Sequence, residues 1–175
     1  TALGFDWKAD ENSQETPRRV ARAWVEDLIK GCLEPEPKIT QFPNREYSGM
    51  VFQGDIEVIS LCSHHNLSFV GKAYVAYLPK KKGKVIGLSK LNRIVEWFSR
   101  RPQLQEELTK AVHDYLNSKI DNGGVMVMIE ARHSCCSNRG IGHDSTMMTA
   151  VPSGMFLENQ GGCKDEFYQF VNQLK

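Results

Sequence analysis

The sequence predicts an α+β fold, an antiparallel β-sheet with helices packed on one face. Two observations carry that reading. Two strand pairs that read as hairpins bracket a pair of amphipathic helices, and single helices stand at either end, giving the order α, ββ, αα, ββ, α. No internal repeat interrupts that order, and 175 residues fit a single domain that buries roughly 70% of the surface its unfolded chain exposes.

Each element has its own signal. Thr16 as N-cap and Pro17 at the first helical position open a helix in which Val20, Trp24 and Leu28 repeat at helical spacing, and Gly31 is expected to stop it. Residues 32 to 49 hold Pro35, Pro37, Pro43 and Gly49 with few periodic apolar positions, so they read as a surface connection. Residues 1–49 thus form an N-terminal helix with its connection, and 50–175 the main unit. Strands follow over about Val51 to Leu61 and Phe69 to Leu78, and between them LCSHHN falls at a strand end or turn. KKKGK at 80 to 84 is a solvated basic turn.

Ser89 is placed to cap a second helix, with Leu91, Ile94, Val95 and Phe98 as its core-facing stripe. Pro102 restarts a third through Leu104, Leu108, Val112, Tyr115 and Leu116, and Asn122-Gly123-Gly124 ends it. His113 is expected on that helix's surface. VMVMIEAR then alternates Val125, Val127, Ile129 and Ala131 with Met126, Met128, Glu130 and Arg132, the methionines serving as packing. A last strand spans about Thr146 to Leu157, and a short helix begins near Asp165.

Composition excludes some classes. With 22 Lys+Arg against 21 Asp+Glu the net charge is +1, which gives no field suited to a polyanion, so no nucleic-acid role is expected. The start TALGFDWKADENSQ lacks a basic segment followed by an apolar core, and no apolar run is long enough to span a bilayer. A cytoplasmic protein without a membrane partner is the expectation. Cys32, Cys62, Cys135, Cys136 and Cys163 are odd in number and sparse, so they read as thiols or metal ligands rather than a disulfide framework.

Two Cys/His clusters carry the chemistry. Cys62, His64 and His65 follow one strand, and His133, Cys135 and Cys136 follow another about 70 residues on. Converging, they offer a Cys₂His set that holds Zn²⁺ and leaves a fourth position open, the arrangement of catalytic zinc. Adjacent histidines on an extended backbone point to opposite sides, so one binds metal and its neighbour handles protons. C-x-x-H alone also fits a buried thiol beside a hydrogen-bonded histidine. Arg19 with Arg22, Lys90 with Arg93 beside Ser89, and Arg139 are each ordinary surface charges taken singly; jointly near the metal they form a phosphate pocket.

The motifs TPRRVARAW at 16 to 24, CSHH at 62 to 65, FVGKAYVAYLP at 69 to 79, GLSKLNRIVEWFSRRPQLQEELT at 87 to 109 and HSCCSNRG at 133 to 140 resemble those of the GTP cyclohydrolase I family. The resemblance covers nearly the whole chain. It implies a T-fold catalytic domain over 50–175, a homo-oligomer that in the family is a decamer, active sites between subunits, and conversion of GTP to 7,8-dihydroneopterin triphosphate and formate. By position, Cys62, His65 and Cys135 resemble the zinc ligands and His64, His133 and Ser89 the proton-handling residues. Gln105 and Glu106 resemble the guanine-recognising pair, and Arg19, Arg22, Lys90, Arg93 and Arg139 the triphosphate contacts.

Ser63 departs from the family's usual Glu after the zinc cysteine, and Glu107 from its usual Arg. Two other classes stay open on the residues: a T-fold relative that stops at the ring-opened formamide or takes another purine or pterin, and a non-catalytic zinc or nucleotide-binding scaffold. A scaffold needs neither His64 nor His133.

Overall fold

The computed structural model describes Gly4, Asp6 and residues 8 to 175. Thr16 and Pro17 open a helix, α1 (Thr16–Arg22), with Glu15 in the capping position. It widens into a π-helical turn over Ala23–Leu28 and resumes as α2 (Lys30–Leu33). Gly31 therefore lies inside the helical segment and does not end it. Its N–H donates to the Arg100 carbonyl at 3.1 Å, and a Cβ there would stand 2.1 Å from the Trp97 carbonyl oxygen, so close approach is what demands glycine.

The elements that follow are β1 (Gln41–Pro43), β2 (Val51–Cys62), β3 (Leu67–Pro79), β4 (Lys84–Ile86), α3 (Leu88–Ser99), β5 (Pro102–Gln103), α4 (Gln105–Lys119), β6 (Asn122–His133), α5 (Ser134–Ser137), β7 (Thr146–Pro152) and α6 (Cys163–Gln173). The main sheet has the order β5-β2-β3-β6-β7. Its pairings are antiparallel except that β5 runs parallel to the end of β2. The expected surface connection is partly a strand. β1 pairs antiparallel with β4, and buried Asn44 ties the segment down by donating to the carbonyls of Tyr47 and Lys80.

Strand alternation sorts the two faces. Val58, Ala73, Val75, Tyr77, Val125, Val127 and Ile129 lie on one, covered by α3 and α4 through Leu91, Ile94, Val95, Leu108, Val112 and Leu116. Each such side chain, fully buried, contributes about 1.5–3 kcal/mol. The helix pair thus packs on one face as expected. The other face carries Tyr74, Ala76, Met126 and Met128, and α6 covers part of it with Phe167 and Val171. The methionines are packing.

Several boundaries move. Gly87 caps α3 and Ser89 sits in its first turn. Pro102 begins the short strand β5 instead of a helix, and α4 starts at Gln105. Asn122 to Gly124 open β6, and β7 ends at Pro152. His113 is buried, not surface, because Thr109, Val112, His113 and Leu116 share the covered stripe at i, i+3, i+4 and i+7. Its Nδ1 lies 3.0 Å from the Asp114 carboxylate. Among the described residues no helix is long and apolar enough to cross a membrane.

Gly71 tests the central pairing. It lies opposite Ala131, and a Cβ on it would stand 1.9 Å from the Glu130 carbonyl oxygen and 2.7 Å from the Ala131 side chain. Gly71→Ala is expected to destabilise by about 2 kcal/mol or more, lowering the calorimetric midpoint by about 4–8 °C. An unchanged midpoint would mean that β3 and β6 separate at no cost.

Candidate functional site

Strand register assembles the site. Antiparallel pairing sets Cys62 against Leu67 across the β2–β3 turn and Phe69 against His133 across β3–β6. β6 runs directly into α5, which carries Cys135 and Cys136. The parallel strand β5 sets Gln103 beside Cys62, so α4 begins at the same place, with Gln105 and Glu106 in its first turn. A cavity of about 280 Å³ lies at this junction, lined by Cys62, His64, Gln105, Glu106, His133 and Cys135, with Cys136, Ser145 and Met147 at its wall.

The Sγ atoms of Cys62 and Cys135 and a ring nitrogen of His133 lie within 4.8 Å of one another. Two thiols and an imidazole are the nitrogen and sulfur donors that zinc takes in three-ligand catalytic sites, so the residues fit that metal. Burial and then the neighbouring thiols of Cys62 and Cys136 push the Cys135 thiol up to about 11. A bound cation would replace those protons. Burial also pushes the His133 imidazole below its ordinary value, against the upward pull of Glu106.

His133 is held on two sides. Its ring stacks on Phe69 with centroids 4.6 Å apart and planes 11° from parallel. Its Nε2 lies 2.9 Å from Oε1 of buried Gln105, whose amide nitrogen is 3.1 Å from each of Ile129 O, Met147 O and Thr149 Oγ1. The hydroxyls of Thr149 and Thr109 are 2.6 Å apart, extending the network into α4. Glu107 accepts from the Leu104 N–H at 2.9 Å, so the acid at 107 caps α4 just outside the cavity. The sequence reading missed Phe69, Thr109 and Thr149. The signal for Phe69 was available in the strand pairing, as the residue opposite His133.

The predicted site residues divide into two groups. Cys62, His64, Gln105, Glu106, His133 and Cys135 meet at the cavity. His65 does not line it; its Nε2 accepts from Arg139 Nη1 at 2.8 Å, since a guanidinium can only donate. The imidazole gathered with the two thiols is therefore that of His133, whereas the resemblance implied His65. Arg19 and Arg22 lie exposed on α1, and Ser89, Lys90 and Arg93 lie on α3, all outside the cavity. Arg22 pairs with Glu26 at 3.0 Å, while among the described residues Arg19, Lys90 and Arg93 have no ion-pair partner.

The family model for GTP cyclohydrolase I matches residues 1–172. The chain belongs to the GTP cyclohydrolase I family. It is 44% identical over 147 residues to GTP cyclohydrolase 1 of Carboxydothermus hydrogenoformans, a match covering 83% of this chain and 76% of that one. It is also 44% identical over 164 residues to GTP cyclohydrolase 1 of Campylobacter jejuni strain RM1221, covering 92% and 84%. A crystal structure of dihydroneopterin aldolase from Burkholderia thailendensis bound to guanine gives a TM-score of 0.43 at 14% identity, covering 61% of this chain and 90% of that one, a likeness too low to inform the site. The antiparallel sheet with its helix pair on one face is the T-fold layer of the GTP cyclohydrolase I family.

The thiols differ in access: Cys136 is exposed and Cys62 buried. Brief iodoacetamide treatment of metal-free protein is expected to alkylate Cys136 well before Cys62, read by peptide mass spectrometry. Equal rates would mean that the strand end at Cys62 opens freely.

Proposed function

We propose that this chain is a zinc-dependent GTP cyclohydrolase converting GTP and water to 7,8-dihydroneopterin triphosphate and formate. The observation that carries the reading is the cavity where the Cys62 and Cys135 thiols, the His133 imidazole and the Glu106 carboxylate meet, in a chain of this family. Zinc, when bound, would supply Lewis-acid chemistry that makes water nucleophilic near neutral pH.

Cys62 and Cys135 would hold the metal, with His65 as the third ligand. The choice between the two imidazoles turns on what each would give up. His133 is committed to Gln105 and stacked on Phe69. His65 lies exposed on a turn and is tied to Arg139, a side chain that a triphosphate would draw away. His65 is thus free to move onto the metal, and His133 stays beside it to handle a proton.

The remaining roles follow from chemistry at stated atoms. The Glu106 carboxylate accepts from guanine N1–H and the 2-amino group, and adenine, with no hydrogen on N1, is rejected. His133 takes up the proton that the attacking water gives up and passes it to N7, which makes C8 more receptive. A second hydrolysis releases C8 as formate. His64, on the cavity wall, carries protons during ribose opening and the Amadori rearrangement, with Ser89, outside the cavity of its own chain, assisting from a neighbouring copy.

Arg19, Arg22, Lys90, Arg93 and Arg139 bind the triphosphate. None lines the cavity of its own chain, which supports a homo-oligomer, the decamer of the resemblance, in which one copy's cations serve another's cavity. Helix α1, which buries no residue within the chain, supports the same arrangement. Residues 50–175 then form the catalytic unit and 1–49 bring the cationic helix to a neighbour, in the cytoplasm.

Zinc-replete protein incubated with GTP is expected to release formate and yield a pterin triphosphate that fluoresces after oxidation. Formamide without pterin would make it the ring-opening relative, and neither product would leave only the scaffold. His65→Ala is expected to lose zinc, whereas His133→Ala keeps zinc and loses C8 hydration; the reverse pattern would exchange their roles. Glu106→Ala should raise KM for GTP roughly 10- to 100-fold, the worth of hydrogen bonds to a charged group, with zinc content unchanged.

A further inference from the structure

We infer that Gln105 acts on the reaction through His133, as a positioning residue that fixes which ring nitrogen meets the substrate, and not as a contact to the base. The inference rests on the function proposed above and departs from the resemblance, which implied guanine recognition for Gln105.

The two ends of a glutamine amide are chemically distinct: the nitrogen donates and the oxygen accepts. The Gln105 nitrogen stands 3.1 Å from three acceptors, the Ile129 and Met147 carbonyl oxygens and Thr149 Oγ1. Turning the amide over would press its oxygen against two backbone carbonyl oxygens, lone pair to lone pair. The main chain of β6 and β7 therefore dictates which end is which. Oε1 is left facing His133, 2.9 Å from Nε2, and an amide oxygen can only accept. His133 Nε2 must then carry a hydrogen, so Nδ1 is the nitrogen left for chemistry in the cavity. Stacking on Phe69 fixes the plane of the same ring.

Gln105 has little left to offer a nucleotide. It is 1% exposed, and both amide hydrogens are taken within the chain. Its neighbour Glu106 is exposed and lines the cavity. Consecutive residues on a helix diverge by about 100°, so the first turn of α4 divides two tasks: Gln105 reaches inward to the proton carrier and Glu106 outward to the substrate.

Gln105→Met keeps the shape and removes the acceptor together with the amide donors, while Gln105→Glu keeps an acceptor oxygen toward His133. Steady-state kinetics on GTP with zinc-replete enzyme are expected to show kcat of the Met variant reduced on the order of 10- to 100-fold, as for lost outer-shell partners, with KM and zinc content unchanged. The Glu variant should recover part of that loss when its carboxyl is protonated, the hydroxyl then donating to the Ile129 or Met147 carbonyl where the amide nitrogen did. Magic-angle-spinning ¹⁵N NMR of histidine-labelled wild type, with His133 identified by its loss in His133→Ala, should show the Nε2–H tautomer, and that signal should move in Gln105→Met. A raised KM with kcat intact would make Gln105 a base contact and overturn the inference. So would an unaffected kcat, zinc loss in the Met variant, or an Nδ1–H tautomer in wild type. If the Met variant does not fold, the wild-type tautomer and the kcat of the Glu variant decide. Wild type that yields no formate from GTP would sink the proposed function instead, and the tautomer would still be read independently of activity.

Discussion

The antiparallel register that sets Cys62 against Leu67 and Phe69 against His133 is the constraint on which the site depends. Side chains on a strand alternate with period two, so a slip of one residue would send His133 to the opposite face and away from the thiols. The core prevents the slip. Val125, Val127 and Ile129 are fully buried under the helix pair, and the same displacement would put Met126 and Met128 in their place. Gly71 closes the remaining freedom, since the backbone of β6 passes where a side chain would stand. Packing at the centre of the sheet thereby fixes chemistry at its end.

A second constraint brings α4 to the same end. β5 is two residues long, yet its parallel pairing with Leu61 and Cys62 delivers Gln105 and Glu106 to the cavity. The Gln103 side chain anchors this crossing by donating to the Phe98 carbonyl at the end of α3 and to Ser60 Oγ on β2. The Gln105 network then ties the helix to β6 and β7. Each such bond contributes only about 1 kcal/mol net, but leaving a buried partner unpaired costs about 1–3 kcal/mol, so the network resists partial disruption. Rigidity at His133 comes from that asymmetry more than from any one bond.

What the sequence made legible were features written in a single periodicity. The alternation of Val125 to Ala131, the stripe of Leu91, Ile94 and Val95, and the strand ends at Cys62 and His133 all survive in the structure. The meeting of two Cys/His clusters was legible because each follows a strand of one sheet. Features that depend on a distant neighbour were not. Gly31 reads as a stop until the Trp97 and Arg100 carbonyls pack against it, and Pro102 reads as a helix start until β2 offers it a strand to pair with. The Gln105 contacts were hidden for the same reason: Ile129, Met147 and Thr149 approach only after β6 and β7 have paired. His113 is different, since its burial is written in the helical stripe it shares with Thr109, Val112 and Leu116.

The adjacent histidines show how one turn can serve two tasks. Their rings lie 6.3 Å apart and 76° from parallel; His64 faces the cavity and His65 meets Arg139. Arg139 and His65 hold each other, so engaging one elsewhere frees the other. Under the proposed function, a triphosphate that draws Arg139 away frees the lone pair on His65 Nε2, and a metal that takes that lone pair frees Arg139. The two binding events then favour one another, because each removes the partner the other must lose. The near-balance of charge over the whole chain is compatible with this, since under the proposed function the pull on phosphate comes from a few local cations, of which Arg19, Lys90 and Arg93 have no ion-pair partner among the described residues, and not from a net field.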